Sequence, residues 1–316
     1  MITNQIVTPK SSNNGDQHMK SFNGKVAAIT GAASGMGRTL AIQLAKEGCN
    51  VSISDVDTKG LAETVKLVKA TNANIKVTSQ QLDVSNREAM YAWADQTAKD
   101  HGKVNLIFNN AGVAYAAPIE HIDYDRFEWI MGINFWGVVY GTKAFLPHLK
   151  ASGEGHIINT SSVFGLCAQP TQSTYNATKF AVRGFTESLR QELDMMNCGV
   201  SATSVHPGGI KTSIARKSVA SPEIEEFTGT DPESGKDLFE KMFITSATKA
   251  ADIILKAVKK DKRRVLVGPD AVAIDTMVRT LPELYQTIIV GQMKKMRSKQ
   301  IARRKSAVNE KQTQSA

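Results

Sequence analysis

The feature that most constrains the fold is the segment Lys25-Val-Ala-Ala-Ile-Thr-Gly-Ala-Ala-Ser-Gly-Met-Gly37, with the run Arg38 to Lys46 behind it. Val26 to Thr30 is short, small and partly β-branched, the composition of a strand buried on both faces. Behind it, Leu40 and Leu44, and Ala41 and Ala45, recur at i, i+4 and give a helix an apolar stripe. Three glycines, Gly31, Gly35 and Gly37, fill the turn between them, where the chain bends sharply and its backbone can approach a bulky anion. Free N–H groups at the helix start, aided by the helix dipole, suit a pyrophosphate there. Glycine spacing alone is a weak signal. Its position between strand and helix, with Asp55 after the next strand-like run Asn50 to Ser54, argues against a tight turn that binds nothing.

Beyond Asp55, helical and strand-like segments alternate. Thr58 to Thr71, Arg87 to Gly102, Phe127 to Lys150 and Thr174 to Met195 read as helices; Ile75 to Gln81, Val104 to Asn109, His156 to Thr160 and Val200 to Val205 read as strands. This order predicts an α/β fold: a doubly wound parallel sheet of about seven strands with helices on both faces and ligand at the carboxyl ends of the strands. The conspicuous residues then fall at strand ends: Asp83-Val84, Asn109-Asn-Ala-Gly112, Ser161-Ser162 and Pro207-Gly208-Gly209.

In Thr30-Gly-x-x-x-Gly-x-Gly37, Asn109-Asn-Ala-Gly112, Asn134, Ser162, Tyr175-x-x-x-Lys179 and Pro207-Gly208, the chain resembles the short-chain dehydrogenase/reductase (SDR) family. The match runs over residues 24 to 213 in the family's order and spacing, and implies a Rossmann-type fold and an NAD(P)-dependent oxidoreductase. The residues argue the same chemistry by themselves. Tyr175 and Lys179 share one helix face, so an ammonium lies near a phenol. A nearby cation, and the positive ring of an oxidised nicotinamide, favour the phenolate, which makes Tyr175 a candidate general acid/base. Ser162 is placed to hydrogen-bond the substrate oxygen and stabilise a developing oxyanion. The resemblance adds that Lys179 also holds the nicotinamide ribose and that Asn134 supports a proton-relaying water. Each of the four, taken singly, has a bland alternative in a turn, a cap or a solvated helix face.

Cofactor choice rests on Asp55, whose carboxylate would accept hydrogen bonds from the adenosine ribose and repel the extra phosphate of NADP. NAD is therefore favoured over NADP, with Arg38 and Lys59 as complications because either side chain could bend towards the ribose. The resemblance places the dinucleotide against Gly31, Ser34, Gly35, Met36 and Gly37 in the glycine turn. It puts Asp83 and the Val84 backbone at adenine, and Asn109, Ala111 and Gly112 at the adenosine ribose. Pro207, Gly208, Ile210 and Thr212 fall on the nicotinamide side, the last two at the carboxamide. Asp83 also suits a helix N-cap. No metal site is expected.

By the same resemblance, Tyr115, Val163, Phe164, Gln169 and Gly208 lie near the substrate, and residues 213–246 form a lid. Ile214, Phe227, Phe239, Met242 and Phe243 either close over a hydrophobic alcohol or carbonyl substrate or pack on the sheet. Arg216 and Lys217 either recognise an anion or are solvated. Three domain regions follow: a disordered tail over 1–22, an SDR domain over 23–270, and a basic helical extension over 271–316 with a disordered end.

That extension carries the charge. Residues 241–316 hold seventeen Lys and Arg against six Asp and Glu, whereas the first 240 hold 22 against 24. Lys249 to Lys260 reads as a helix, Arg264 to Gly268 as the seventh strand, and Asp270 to Arg279 and Pro282 to Arg304 as helices. In the last, Leu284, Ile288, Met293, Met296 and Ile301 alternate with basic residues. Such a helix packs on its own domain, pairs with another subunit or lies on an anionic membrane surface. Nucleic acid is the least expected partner, for want of interleaved aromatic residues. Cys49, Cys167 and Cys198 read as reduced thiols of a cytoplasmic protein, peripheral at the inner membrane surface if the basic helix docks there. The N-terminus has no signal peptide pattern, and no apolar run has membrane-spanning length. The resemblance implies a homodimer or homotetramer. The alternative to an enzyme is a non-catalytic dinucleotide sensor or scaffold acting through the basic tail, which the intact Asn134, Ser162, Tyr175 and Lys179 set argues against.

Overall fold

The structure, a computed structural model, describes residues 19–314. Through the first half of the chain run β1 (Val26–Thr30), α1 (Gly35–Lys46), β2 (Asn50–Asp55), α2 (Thr58–Thr71), β3 (Val77–Gln81), α3 (Arg87–His101), β4 (Leu106–Asn109) and the short β5 (Tyr115–Ala116). Then come α4 (Tyr124–Met131), a π-helical turn (Gly132–Trp136), α5 (Gly137–Ala151), β6 (Gly155–Thr160), α6 (Ser173–Met196) and β7 (Val200–Pro207). The remainder is β8 (Ile210–Lys211), β9 (Val219–Ala220), α7 (Ile224–Thr228), α8 (Pro232–Lys241), β10 (Thr245–Ser246), α9 (Ala247–Lys259), β11 (Arg264–Val267), α10 (Pro269–Thr280) and α11 (Leu284–Gln314).

Seven strands form one parallel sheet in the order β11-β7-β6-β4-β1-β2-β3. The centre is buried on both faces, as all residues of β1, β4 and β6 are; β1 and most of β4 read as apolar runs, whereas β6 buries His156, Asn159 and Thr160 beside its two isoleucines. The edge strand β3, Val-Thr-Ser-Gln-Gln, ends exposed and correspondingly polar. Helices α1, α2 and α9 cover one face, with Leu40, Leu44, Leu61, Val68, Ile254 and Val258 in its core. Helices α3, α5 and α6 cover the other, around Met90, Trp93, Phe145, Leu149, Leu189 and Leu193. Chain direction across the sheet reverses between β1 and β4, and the carboxyl ends of those strands open the crevice where such sheets bind ligands.

Met19 and Phe22, which the sequence reading left in the N-terminal tail, are buried in the first core, with the Lys259 ammonium 5.0 Å from the Phe22 ring centre. The rest of that tail, residues 1–18, lies outside the described residues. The helix expected over 127–150 is interrupted by the π turn, and α11 continues past Arg304 to Gln314. Its inward face is Tyr285, Ile289 and Met293, whereas Leu284 is 53% exposed. Among the described residues, no helix is long and apolar enough to cross a membrane.

Candidate functional site

The glycine turn after β1 is built by close approach. Gly31 and Gly35 have φ of 67° and 56°, the left-handed region that favours glycine. A Cβ on Gly31 would sit 2.8 Å from Ala111 Cα, so the β1 and β4 loops touch at the crevice. A Cβ on Gly37 would collide with the Gly31 carbonyl and stand 2.7 Å from Asn110 Nδ2. Asn110, named in the sequence only as part of a motif, donates through Nδ2 to the carbonyls of Thr30 (3.0 Å) and Gly31 (3.3 Å). Ser34 precedes α1 in extended conformation, and Thr212, beyond β8, comes against the other side of the turn, its Cγ2 3.1 Å from where a Gly35 Cβ would be. Met36 packs against the first core, and Ile210 is buried in it.

Asp55, at the end of β2, accepts the Ala33 N–H at 2.9 Å and the Asp57 N–H at 3.0 Å. Arg38 does not bend towards it. Its guanidinium donates to the carbonyls of Ala33 and Gly60 and to the Thr64 hydroxyl, because a half-buried cation is held by the backbone acceptors around it. Lys59 is exposed.

Several of the residues expected at the cofactor also make contacts within the chain. Asn109 turns its amide into the layer beneath α5 and α6, donating to Asn159 (2.8 Å) and Thr142 (3.2 Å), and a Cβ on Gly141 would collide with its oxygen. Its side chain is therefore structural, and only its backbone faces the crevice loop. Asp83 accepts from the Ser85 backbone and hydroxyl; the N-cap of α3 is Asn86. Val84 is buried, against Gly137. Arg216 pairs with Glu240 at 2.5 Å on α8, which occupies its charge within the lid.

At the carboxyl ends of β4 and β6 four groups converge. Asn134 sits in the π turn, fully buried, accepting the Val113 N–H (2.8 Å) and donating to the Val113 carbonyl (2.9 Å) and Thr178 hydroxyl (3.3 Å). A π turn re-aims one residue within a helix, and such turns recur at functional sites. Lys179 donates to the Thr160 carbonyl at 3.0 Å, and its ammonium lies 5.6 Å from the centre of the Tyr175 ring. A Cβ on Gly112 would lie 3.3 Å from Asn134 Oδ1 and 3.5 Å from Lys179 Nζ, so Gly112 leaves open the space between them. Ser162 caps a 3-10 turn by accepting from Phe164 N–H, and its side chain is the neighbour that favours ionisation of Tyr175.

The electrostatics differ from the sequence expectation. Tyr175 keeps some solvent contact as a residue, yet protein surrounds it closely enough that burial pushes its hydroxyl up to about 12, partly offset by the Ser162 side chain. Burial likewise pulls Lys179 down to about 8. Desolvation outweighs the attraction of ammonium for phenolate, so the chain's own residues hold Tyr175 as a phenol.

Two further residues escaped the sequence reading. His206, just before Pro207, is fully buried with Nδ1 3.0 Å from the Ser162 carbonyl and Nε2 3.0 Å from the Ser204 hydroxyl. Asp270, at the start of α10, accepts the Gly209 N–H at 2.5 Å and fills the space a Gly208 Cβ would need. Nothing near either motif in the sequence signals these pairings.

Tyr115 is buried with Ala117 and Ile130 beside Tyr175. Phe164 meets the Tyr175 ring edge-on at 6.0 Å, and Val163 is buried beside it. Gln169 lines, with Tyr115 and Phe164, a cavity of about 670 Å³ under the lid; Tyr175 is not among its lining residues but packs against both of these aromatic rings. Of the lid residues, Phe243 is buried under Gly209, while Phe227 and Met242 are about half exposed around the cavity.

The comparisons with known proteins converge on one family. The short chain dehydrogenase family profile matches residues 25–223. SadH of Mycobacterium tuberculosis is 47% identical over 274 residues, covering 86% of this chain and 96% of that protein. A short chain dehydrogenase/reductase from Burkholderia phymatum, solved in complex with NAD, superposes with a TM-score of 0.77 at 31% identity, over 85% of this chain and 97% of that one. A short chain dehydrogenase from Mycobacterium paratuberculosis bound to NAD gives 0.67 at 27%, over 78% and 97%. With the parallel sheet, the glycine turn at its reversal point and this likeness over most of its length, the chain is a Rossmann-fold NAD(P)-binding oxidoreductase that belongs to the short-chain dehydrogenase/reductase family.

Proposed function

We propose that this protein is an NAD-dependent oxidoreductase that interconverts a hydrophobic secondary alcohol and its ketone, with Tyr175 trading the proton. The observation that carries the reading is the convergence of Ser162, Tyr175, Lys179 and Asn134 beside the space that Gly112 leaves open. The glycine turn, whose positions 31 and 37 admit no Cβ, fits a pyrophosphate, and Asp55 fits the ribose of NAD. The dinucleotide, when bound, supplies the hydride acceptor or donor and, when oxidised, a positive ring that favours the phenolate.

In the reducing direction Tyr175, a phenol, gives its proton to the carbonyl oxygen as hydride reaches the carbon, and Ser162 donates a hydrogen bond to that oxygen. Lys179, whose affinity for its proton is lowered by burial, is suited to replenish Tyr175. Asn134 fixes Val113 and the loop that carries Gly112. Arg38, held by backbone carbonyls, is kept from a 2′-phosphate, which favours NAD over NADP. Trp136 and Phe180, 46% and 40% exposed, support a homodimer or homotetramer.

The test is Tyr175→Phe. NADH binding, followed by fluorescence, should persist while kcat falls by roughly 10²- to 10⁴-fold. Turnover at the wild-type rate would refute the assignment.

A further inference from the structure

The cavity beside Tyr175 has the C-terminal helix as its far wall. Its volume of about 670 Å³ lies within the roughly 300–1,000 Å³ of sites that enclose a sizeable small molecule. Phe164 connects the cavity wall to the reacting group: it lines the cavity, meets Tyr175 edge-on and lies parallel to Phe239 of α8 at 6.5 Å. From Phe239 and Met242 the lining passes to Val290, Met293, Met296 and Gln300 on α11, with Lys294 and Arg297 of the same helix beside them. These helix positions span ten residues, so at 1.5 Å per residue the trough follows α11 for about 15 Å. That length exceeds a small ketone or a single ring. Three of the lining residues are methionines, whose unbranched thioethers adapt to a flexible ligand. Helix α11 is anchored where it does this: Tyr285 and Ile289 are buried with Val163, Phe164 and Cys167, and Arg297 donates to the Glu226 carbonyl of α7 at 3.3 Å.

We propose that α11 forms a wall of the substrate site and that the substrate is a secondary alcohol or ketone bearing an extended aliphatic chain, laid along Val290, Met293 and Met296 with its oxygen at Tyr175. The proposal rests on the oxidoreductase reading above and adds the substrate class and the segment that selects it. Its quantitative consequence is a chain-length series. Each methylene laid in the trough contributes about 0.8 kcal/mol, or roughly fourfold in kcat/KM until the trough is filled.

The experiment measures kcat/KM with NADH for butan-2-one, hexan-2-one, octan-2-one and dodecan-2-one in the full-length wild type, Met296→Glu and Met296→Leu, with calorimetric binding of butan-2-one and dodecan-2-one to the NADH complex. Met296 is 45% exposed, so neither variant disturbs the core. The dodecanone-to-butanone ratio of kcat/KM should be large in wild type, fall at least about tenfold in Met296→Glu, where a carboxylate faces the chain, and recover in Met296→Leu. A flat series in wild type, or the same ratio in Met296→Glu, overturns the proposal while leaving the oxidoreductase reading in place. If no ketone turns over, calorimetry separates the two: dodecan-2-one bound by wild type and lost by Met296→Glu supports the α11 wall and removes the proposed ketone reduction, whereas no dodecanone binding overturns the wall.

Discussion

His206 links the stability of this protein to pH in a way that can be worked from its contacts. Nδ1 faces the Ser162 carbonyl, which only accepts, so Nδ1 carries the proton and Nε2 accepts from the Ser204 hydroxyl. Burial pulls the ring from 6.5 down to about 4; the Ser162 carbonyl opposes the shift, and Arg264 and Arg183 add to it. The folded-state value lies below the unfolded one. As pH falls below 6.5 the unfolded chain takes up a proton that the folded chain refuses until about pH 4, so this stability is present above 6.5 and lost across that window. Between about pH 7.5 and 4.5 the loss from this one group is roughly 2–3 kcal/mol. Carboxylates titrate in the same range, so the quantity to measure is the difference between wild type and His206→Asn, which keeps a donor for Ser162 and has no proton to gain. Urea unfolding at both pH values should show the wild type losing roughly 2–3 kcal/mol more than the variant. A difference in stability between the two proteins that does not change with pH refutes the reasoning.

Two other substitutions probe the cofactor side. Gly37→Ala drives a methyl into the Gly31 carbonyl and the Asn110 amide, and should cost about 1–3 kcal/mol in stability and abolish NADH binding by fluorescence titration; an unchanged dissociation constant would remove the turn from the site. Asp55→Ala should narrow the ratio of NAD to NADP affinity, measured by the same titration, and an unchanged ratio would mean that another residue selects the cofactor.

The sheet was legible in the sequence because β1 and β4 are buried on both faces and read as largely apolar runs, and because α1, α2, α3 and α6 carry apolar residues at helical period. The crevice was legible because β1 and β4 end in glycine-bearing loops, and these loops touch: Gly31 and Ala111 are eighty residues apart in the chain and adjacent in space. What could not be read were the choices a polar side chain makes among partners. Asn109 looks like a crevice residue by its position at a strand end, but the alternation of a strand turns its amide to the α5 face, where Asn159 and Thr142 satisfy it. Arg38 is three backbone and hydroxyl contacts away from being free to meet a phosphate. The proximity of Lys179 to Tyr175 was readable from i, i+4 spacing, whereas the sign of the shift on Tyr175 depends on how much protein surrounds the pair, which spacing does not contain.

The C-terminal quarter shows the same limit and suggests why its charge is there. Helical period identified an amphipathic segment over 282–304, but an apolar stripe does not say what covers it. In the fold, Tyr285 and Ile289 meet the Val163–Cys167 segment, and Met293 and Met296 face the cavity, so the side that could have met a membrane or a second subunit is at least partly committed to the protein's own interior. Lys294, Lys295 and Lys299 then fall on exposed positions. A helix whose inner face is divided between core and cavity exposes Val290 and Met296 at 41% and 45%, and flanking lysines keep such a rim hydrated. On α11, Lys295 and Lys299 thus sit on the solvent side of the wall, whereas Lys294 and Arg297 reach the rim of the cavity.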